Sequence, residues 1–241
     1  MSLETVAKQT GLNINAQKTK SMRLNTNQQD CLKIDDSTVE DVQQFTYLGS
    51  IVSTSGGTDE DILARKKKAQ QIFSMLKPVW RSNALRTSTK LRILNTNVKS
   101  VLLYGSETWR ETAASIKSIQ TFVNKRLRNI LNIRWPNKIS NNELWRRTKQ
   151  QPTTQTIRAR KWKWIRHTLR KKDTHITKQA LEWNPQEHRK RGRPKNTWRR
   201  GLTTELSKIG KTWRETKRIA MDRKKWRETV VALCPPWDEV D

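Results

Sequence analysis

The adjacent pair Asp35-Asp36 is the first place in this chain where residue types could do chemistry. Paired carboxylates at a strand end can hold Mg²⁺ for phosphoryl transfer. These two follow a strand-like "LKI" and precede "STVED", and no further carboxylate marks a second strand end, so a turn is the favoured reading. The three histidines, His167, His175 and His188, form no nucleophile constellation. His167 has no Cys or His at metal-ligating spacing, which favours a packing or hydrogen-bonding role over ligation. Gly56-Gly57 lacks the Lys and Ser/Thr that follow a phosphate-cradling loop. What remains is positive charge interleaved with tryptophan, in "RARKWKWIRHTLRKK" (158–172), "HRKRGRPKNTWRR" (188–200) and "DRKKWRETV" (222–230).

That charge is the dominant feature of the whole chain. Fifty Lys and Arg stand against 22 Asp and Glu, a formal net charge of +28, which calls for a polyanionic partner. Nucleic acid is the first choice, because each neutralised phosphate releases counterions whatever the sequence. An anionic membrane surface is the second, but no amphipathic anchor or lipid signal is evident and no run of about 18 apolar residues could span a bilayer. The two cysteines, Cys31 and Cys234, are too few and too far apart for a disulfide framework and suit a reducing compartment. Only 33% of residues are hydrophobic, yet eleven Trp supply large buried area, so a folded chain with a lean core is expected. The charge is also uneven. Residues 1–61 hold five Lys/Arg and nine Asp/Glu, and the remainder is strongly cationic.

The elements that must position these cations read as follows. Residues 2–10 suit a short helix capped by Ser2 and closed by Gly11. Strand-like runs follow at 21–25, 31–35 and 44–53. After Gly56-Gly57 the period becomes helical. Thr58 and the acids at 59–61 open a helix with an apolar stripe of Ile62, Ala69, Ile72, Phe73, Leu76 and Trp80. Further helices fit 88–104, ended by Gly105, and 113–132, stopped by Pro136. "SNNELW" (140–145) has the form of a capping box between Ser140 and Glu143. More helices fit 153–171, 174–182, 197–209 and 212–233. In the 153–171 helix, Trp162, Ile165 and Leu169 share one face, and the cations fall mostly elsewhere. Trp80, Trp109, Trp162 and Trp164 are expected in the core. Arg191-Gly192-Arg193-Pro194 has three readings: a hook for a narrow A·T minor groove, an ordered phosphate-contacting loop, or a solvated linker. The patterned helix that starts four residues later, at Trp198, favours the ordered loop.

Taken in order, "GLNINAQKTKSMRLN", "VEDVQQFTYLGSIVSTSGGTDEDILARKKKAQQIFSMLKPVW" and "SVLLYGSETW" resemble the reverse transcriptases of non-LTR (LINE-type) retrotransposons. "ILNIRWPNKISNNELWRRT", "RKWKWIRHTLRK", "ALEWNPQEHRKRGRPKNTWRR" and "DRKKWRETVVALCP" resemble the carboxy-terminal region of the same elements. The resemblance spans nearly the whole chain and rests on order and spacing, not on one decisive motif. It implies the end of a palm, a thumb and a carboxy-terminal domain. The catalytic aspartates of such polymerases, with the Mg²⁺ they bind, would lie before the first segment. By the same resemblance, Lys18 approaches the incoming nucleotide's phosphates, with Lys20 as a second choice. Phe45, Tyr47, Leu48 and Gly49 belong to a hairpin supporting the primer end, with the three large side chains packed on palm and thumb. The helices from about 59 to 131 track the template–primer backbone. Two positions depart from comparable members, Arg126 where Cys is frequent and Arg166 where Gly is frequent.

The expected fold is mainly α with a small α+β N-terminal part. It divides into a palm remnant (1–57), a thumb-like helical bundle (58–135) and a basic, Trp-rich helical domain (136–241) with a break near 183–196. The expected function is binding of RNA or DNA through phosphates, without polymerisation by this chain alone, inside the cell in nucleus or cytoplasm. The missing polymerase portion is a further expected partner, and no metal or cofactor is expected in this chain. The binding residues expected are Arg65, Lys66, Lys67, Lys161, Lys163, Arg191, Arg193 and Arg199. The alternatives are an architectural DNA-binding protein using the Arg191–Pro194 hook, or an element remnant without function.

Overall fold

A computed structural model describes residues 3–24, 26, 30–34, 37–54, 56–183 and 197–235. The chain is mostly helical, with a few short strands confined to its N-terminal part. It divides into two compact units, Met1–Ala64 and Arg65–Asp241.

In the first unit, α1 (Leu3–Gln9) ends as the chain turns through Gly11 in the left-handed region. Three two-stranded sheets follow among the described residues. β1 (Lys20–Ser21) pairs in parallel with β4 (Glu40–Asp41), while β2 (Lys33–Ile34) and β3 (Ser37–Thr38) are antiparallel. Asp35 and Asp36, between β2 and β3, lie outside the described residues. The strand-like run over 44–53 folds back on itself as a hairpin, the form that the resemblance implies there. β5 (Gln44–Tyr47) and β6 (Ser50–Ser53) pair with Tyr47 opposite Ser50, so Leu48 and Gly49 form a two-residue loop. Both loop residues have positive φ, 49° and 80°, the requirement of a type I′ turn. A bulky residue at such a φ is unusual. The chain then enters α2 (Asp59–Met75), whose first turn carries Asp59, Glu60 and Asp61 against the positive helix end. Asp61 also accepts the Ile51 N–H at 3.0 Å, tying the helix start to β6.

The second unit contains the rest of α2. α3 (Lys77–Arg81) buries Trp80, which stacks on Phe73 at 4.9 Å and donates its indole N–H to the Phe73 carbonyl at 2.7 Å. The nearly buried Lys90 ammonium donates to the Trp80 carbonyl at 3.0 Å and so satisfies an orphan acceptor at the α3 end. α4 (Thr87–Ile93) continues through a π-helical stretch, Leu94–Lys99, into α5 (Ser100–Leu102), and Gly105 at φ 73° ends the run as expected. α6 (Ala113–Ile130) starts at a capping box of Thr112 and Ser115. It stops earlier than Pro136 requires, because Asn132 takes the left-handed conformation at φ 55°.

α7 (Asn141–Thr148) is capped by Ser140, but the reciprocal half of the expected box is absent. Glu143 instead binds Arg146 and Arg147, whose hydrogen bonds hold its carboxyl down at about 2. α8 (Thr153–Leu169), α9 (Ile176–Glu182) and α10 (Trp198–Lys208) follow. The helix expected over 212–233 is two. α11 (Trp213–Ile219) gives way to α12 (Arg223–Leu233) because Asp222 caps a new N-terminus, accepting from the Lys224 and Lys225 N–H groups. A core of Trp162, Ile165, Leu169, Leu181, Leu202, Leu206, Ala220, Trp226 and Leu233 joins α8 to α9, α10 and α12. Trp80, Trp109 and Trp162 are buried, and Trp164 packs against this core edge-on to Trp198 at 6.0 Å. No helix among the described residues is long and apolar enough to cross a membrane.

Candidate nucleic-acid interface

The structure sorts the cations singled out by sequence into exposed and internal ones. In the first unit, the Lys18 side chain is exposed, and its backbone N–H donates to Asn15 Oδ1 at 3.0 Å, which fixes the local turn. Lys20 is paired with Glu40 across the β1–β4 ladder, and Arg23 with Asp41 at 3.1 Å, so Lys20 is partly neutralised. In the hairpin, Phe45, Tyr47 and Leu48 are exposed instead of packed, Leu48 at 76%. β5 has β6 as its ladder partner and presents all four residues to solvent.

In the second unit, Lys67, Lys163 and Arg199 are exposed, and Arg199 also donates to the Glu182 carbonyl at 3.1 Å. Lys66 is half-buried and donates to Ser118 Oγ at 2.9 Å. Two expected contact residues are internal. Arg65 is 6% exposed and lies over the Tyr104 ring at 4.5 Å. Lys161 is 3% exposed and donates to Glu111 and, at 2.7 Å, to Glu205 Oε1. Glu205 Oε2 in turn accepts the Trp162 indole N–H at 2.6 Å. Both corrections have one cause. Arg65 falls three residues after Ile62 and four before Ala69, and Lys161 four after Ile157 and four before Ile165, so each sits on its helix's buried stripe. Arg191 and Arg193, with the rest of the hook and His188, lie outside the described residues.

His167 is exposed, so of its two expected roles, packing or hydrogen bonding, packing is excluded, and His175 caps α9 by accepting from the Thr177 N–H. The atypical Arg126 is accommodated between Phe73 and Phe122, its guanidinium 4.8 Å from each ring, and burial lowers its pKa. Cys31 is exposed, whereas burial pushes the Cys234 thiol up to about 11. Among the described residues no cluster of three or more His, Cys, Asp or Glu could hold a metal ion.

Most of the described acids of the second unit have partners within it, some buried and some at the surface. Glu111 and Glu205 hold Lys161, Glu143 holds two arginines, Asp173 binds Lys178, and Glu182 binds Lys217. Glu215 and Asp222 cap helices, and the N–H groups they accept lower their pKa values. The cationic excess therefore remains as surface potential.

Sequence reasoning passed over one cluster of these cations. Lys125, Arg128 and Arg134 line a groove of about 530 Å³ at the end of α6, together with Asn124, Asn129 and Asn141. The signal was present in "NKRLRNI" and Arg134, a basic stretch without an acid beside it.

Comparison with known proteins gives a transposon connection. The chain is 25% identical over 232 residues to an uncharacterized transposon-derived protein of Caenorhabditis elegans, covering 90% of this chain and 81% of that protein. Residues 72–104 match a domain of unknown function (DUF6451), a stretch that runs from the end of α2 to the turn after α5. No solved structure matches.

Proposed function

We propose that this chain is the nucleic-acid-binding part of a transposon-type reverse transcriptase and grips RNA or DNA through phosphates. The observation that supports this best is the uncompensated charge of the second unit, most of whose described carboxylates are paired within it while Lys67, Lys125, Arg134 and Lys163 stay in solvent. The similarity to a transposon-derived protein agrees with origin in a transposable element, and it also fits a remnant that has lost its activity. The reverse-transcriptase assignment, with the hairpin at 44–53 as primer support and the helices after it as thumb, rests on the order of sequence motifs. In that assignment Lys18 meets nucleotide phosphates. The chemistry of strand synthesis, with its Mg²⁺, belongs to aspartates of a catalytic palm, so this chain alone binds without polymerising.

Filter binding of a labelled strand at low and at fourfold higher salt tests the binding claim. Affinity is expected to fall about 10³-fold, the effect of several phosphate contacts. Failure to bind in dilute buffer overturns the reading. Template-dependent extension of a primer by the isolated chain would overturn the claim that it does not polymerise.

A further inference from the structure

The groove at the end of α6 has a chemistry that plain phosphate gripping does not need. Its volume, about 530 Å³, is in the range of small-ligand sites, and it is open to solvent. Three cations and three carboxamides line it, and no carboxylate does. Lys125 and Arg134 are exposed and have no acidic partner among the described residues. The remaining cation is held in place. Arg128 donates to Asn141 Oδ1 at 2.8 Å and to the Ile139 carbonyl at 3.3 Å, bridging α6 to the start of α7.

The floor is equally fixed. Asn124 is 4% exposed, and its Oδ1 accepts from the Trp145 indole at 2.9 Å and from Gln120 at 2.8 Å. Asn129 is exposed on the groove wall, and its carboxamide makes no hydrogen bond among the described residues. A carboxamide offers a donor and an acceptor side by side, the pattern that matches a base edge, whereas phosphate oxygens only accept. Next in the chain after Arg134 stands Trp135, 82% exposed. A bare indole beside cations is the combination that holds unpaired bases by stacking.

We propose that this groove seats one unpaired nucleotide of a single-stranded nucleic acid. Lys125 and Arg134 take the phosphate, Asn129 and Asn141 face the base edge, and Trp135 provides a stacking surface. Duplex stems have their base edges paired and cannot enter, so the groove gives the chain a preference for single strands. This proposal rests on the reading of the chain as a nucleic-acid binder and adds the form of the ligand.

The test compares fluorescence anisotropy titrations of a short labelled single-stranded DNA, the same sequence as RNA, and the corresponding duplex. The proteins are the full chain, Asn129→Leu and Trp135→Ala, each checked for an unchanged melting midpoint. Both altered side chains are exposed, and Asn129→Ala serves if Asn129→Leu misfolds. Each substitution is expected to weaken single-strand binding about tenfold, the loss typical of one stacked base, while leaving duplex affinity unchanged. The DNA and RNA arms show which strand is preferred. A strand carrying 5-iodouridine should photocrosslink to the peptide containing Trp135. If the unaltered chain binds neither strand nor duplex, the underlying reading of function falls. If it binds but the substitutions change nothing, or weaken single strand and duplex equally, the functional reading stands and the groove proposal is overturned.

Discussion

The Lys161 ammonium lies 2.7 Å from Glu205 Oε1 in the interior of the second unit, with Glu111 as its other partner. The side chains of Glu111 and Glu205 are only 18% and 12% exposed, so the lysine separates two carboxylates that would otherwise face each other out of water. Lys161→Met keeps the stem and removes the charge. It should destabilise the chain by about 3–5 kcal/mol, the cost of leaving buried charge unpaired. Urea unfolding measures this. Combining it with Glu205→Gln should restore part of the loss, and an unaltered midpoint in the single variant would show that the cluster is not closed in solution.

Lys99 ends the π-helical stretch and donates to Gln150 Oε1 at 2.9 Å. Burial, and secondarily the charge of Arg160, lower its pKa from 10.5 to about 8. Below pH 8 the ammonium is charged in both folded and unfolded chains, and the fold bears the full desolvation penalty. Between about 8 and 10.5 the unfolded chain binds more protons, so this residue's contribution to stability rises with pH. The penalty is on the order of 3 kcal/mol. The stability of the unaltered chain relative to Lys99→Met should therefore rise by that amount from pH 7 to pH 10.5. A difference that does not vary with pH would refute the assignment.

Leu48 occupies a left-handed position, φ 49°, at the hairpin tip with its side chain 76% exposed. Leu48→Asn suits the type I′ turn and should gain about 0.5–1 kcal/mol locally. The measurement is amide hydrogen exchange over 44–53 in the full chain, where protection should increase. Equal or lower protection would show that Leu48 is not strained there.

The helical architecture was legible because its punctuation is chemical. Ser140, Thr197, Thr212 and Asp222 each accept from backbone N–H groups at a helix start, and Gly105 closes a helix at positive φ. The 212–233 region reads as one helix because Asp222 sits inside a run whose apolar spacing continues across it, yet its side chain caps a new start. Arg65 and Lys161 are charged yet internal because their spacing from Ile62 and Ile157 places them on the buried stripe of each helix. The groove escaped notice for another reason. It is made by Arg128 reaching across to Ile139 and Asn141, a closure between separate helices that no local pattern encodes.

Helix α8 is completed by groups supplied far along the chain. Gln155 donates to the Pro235 carbonyl at 2.9 Å, Arg158 to that of Leu233 at 3.4 Å, and Glu205 reaches Lys161. During synthesis, a ribosome that has released residues through Leu169 has delivered a helix whose Lys161 already has Glu111 but whose Trp162 indole awaits Glu205, not yet translated. Until those later helices emerge, the apolar face of α8 stays uncovered, the condition under which folding intermediates become prone to association.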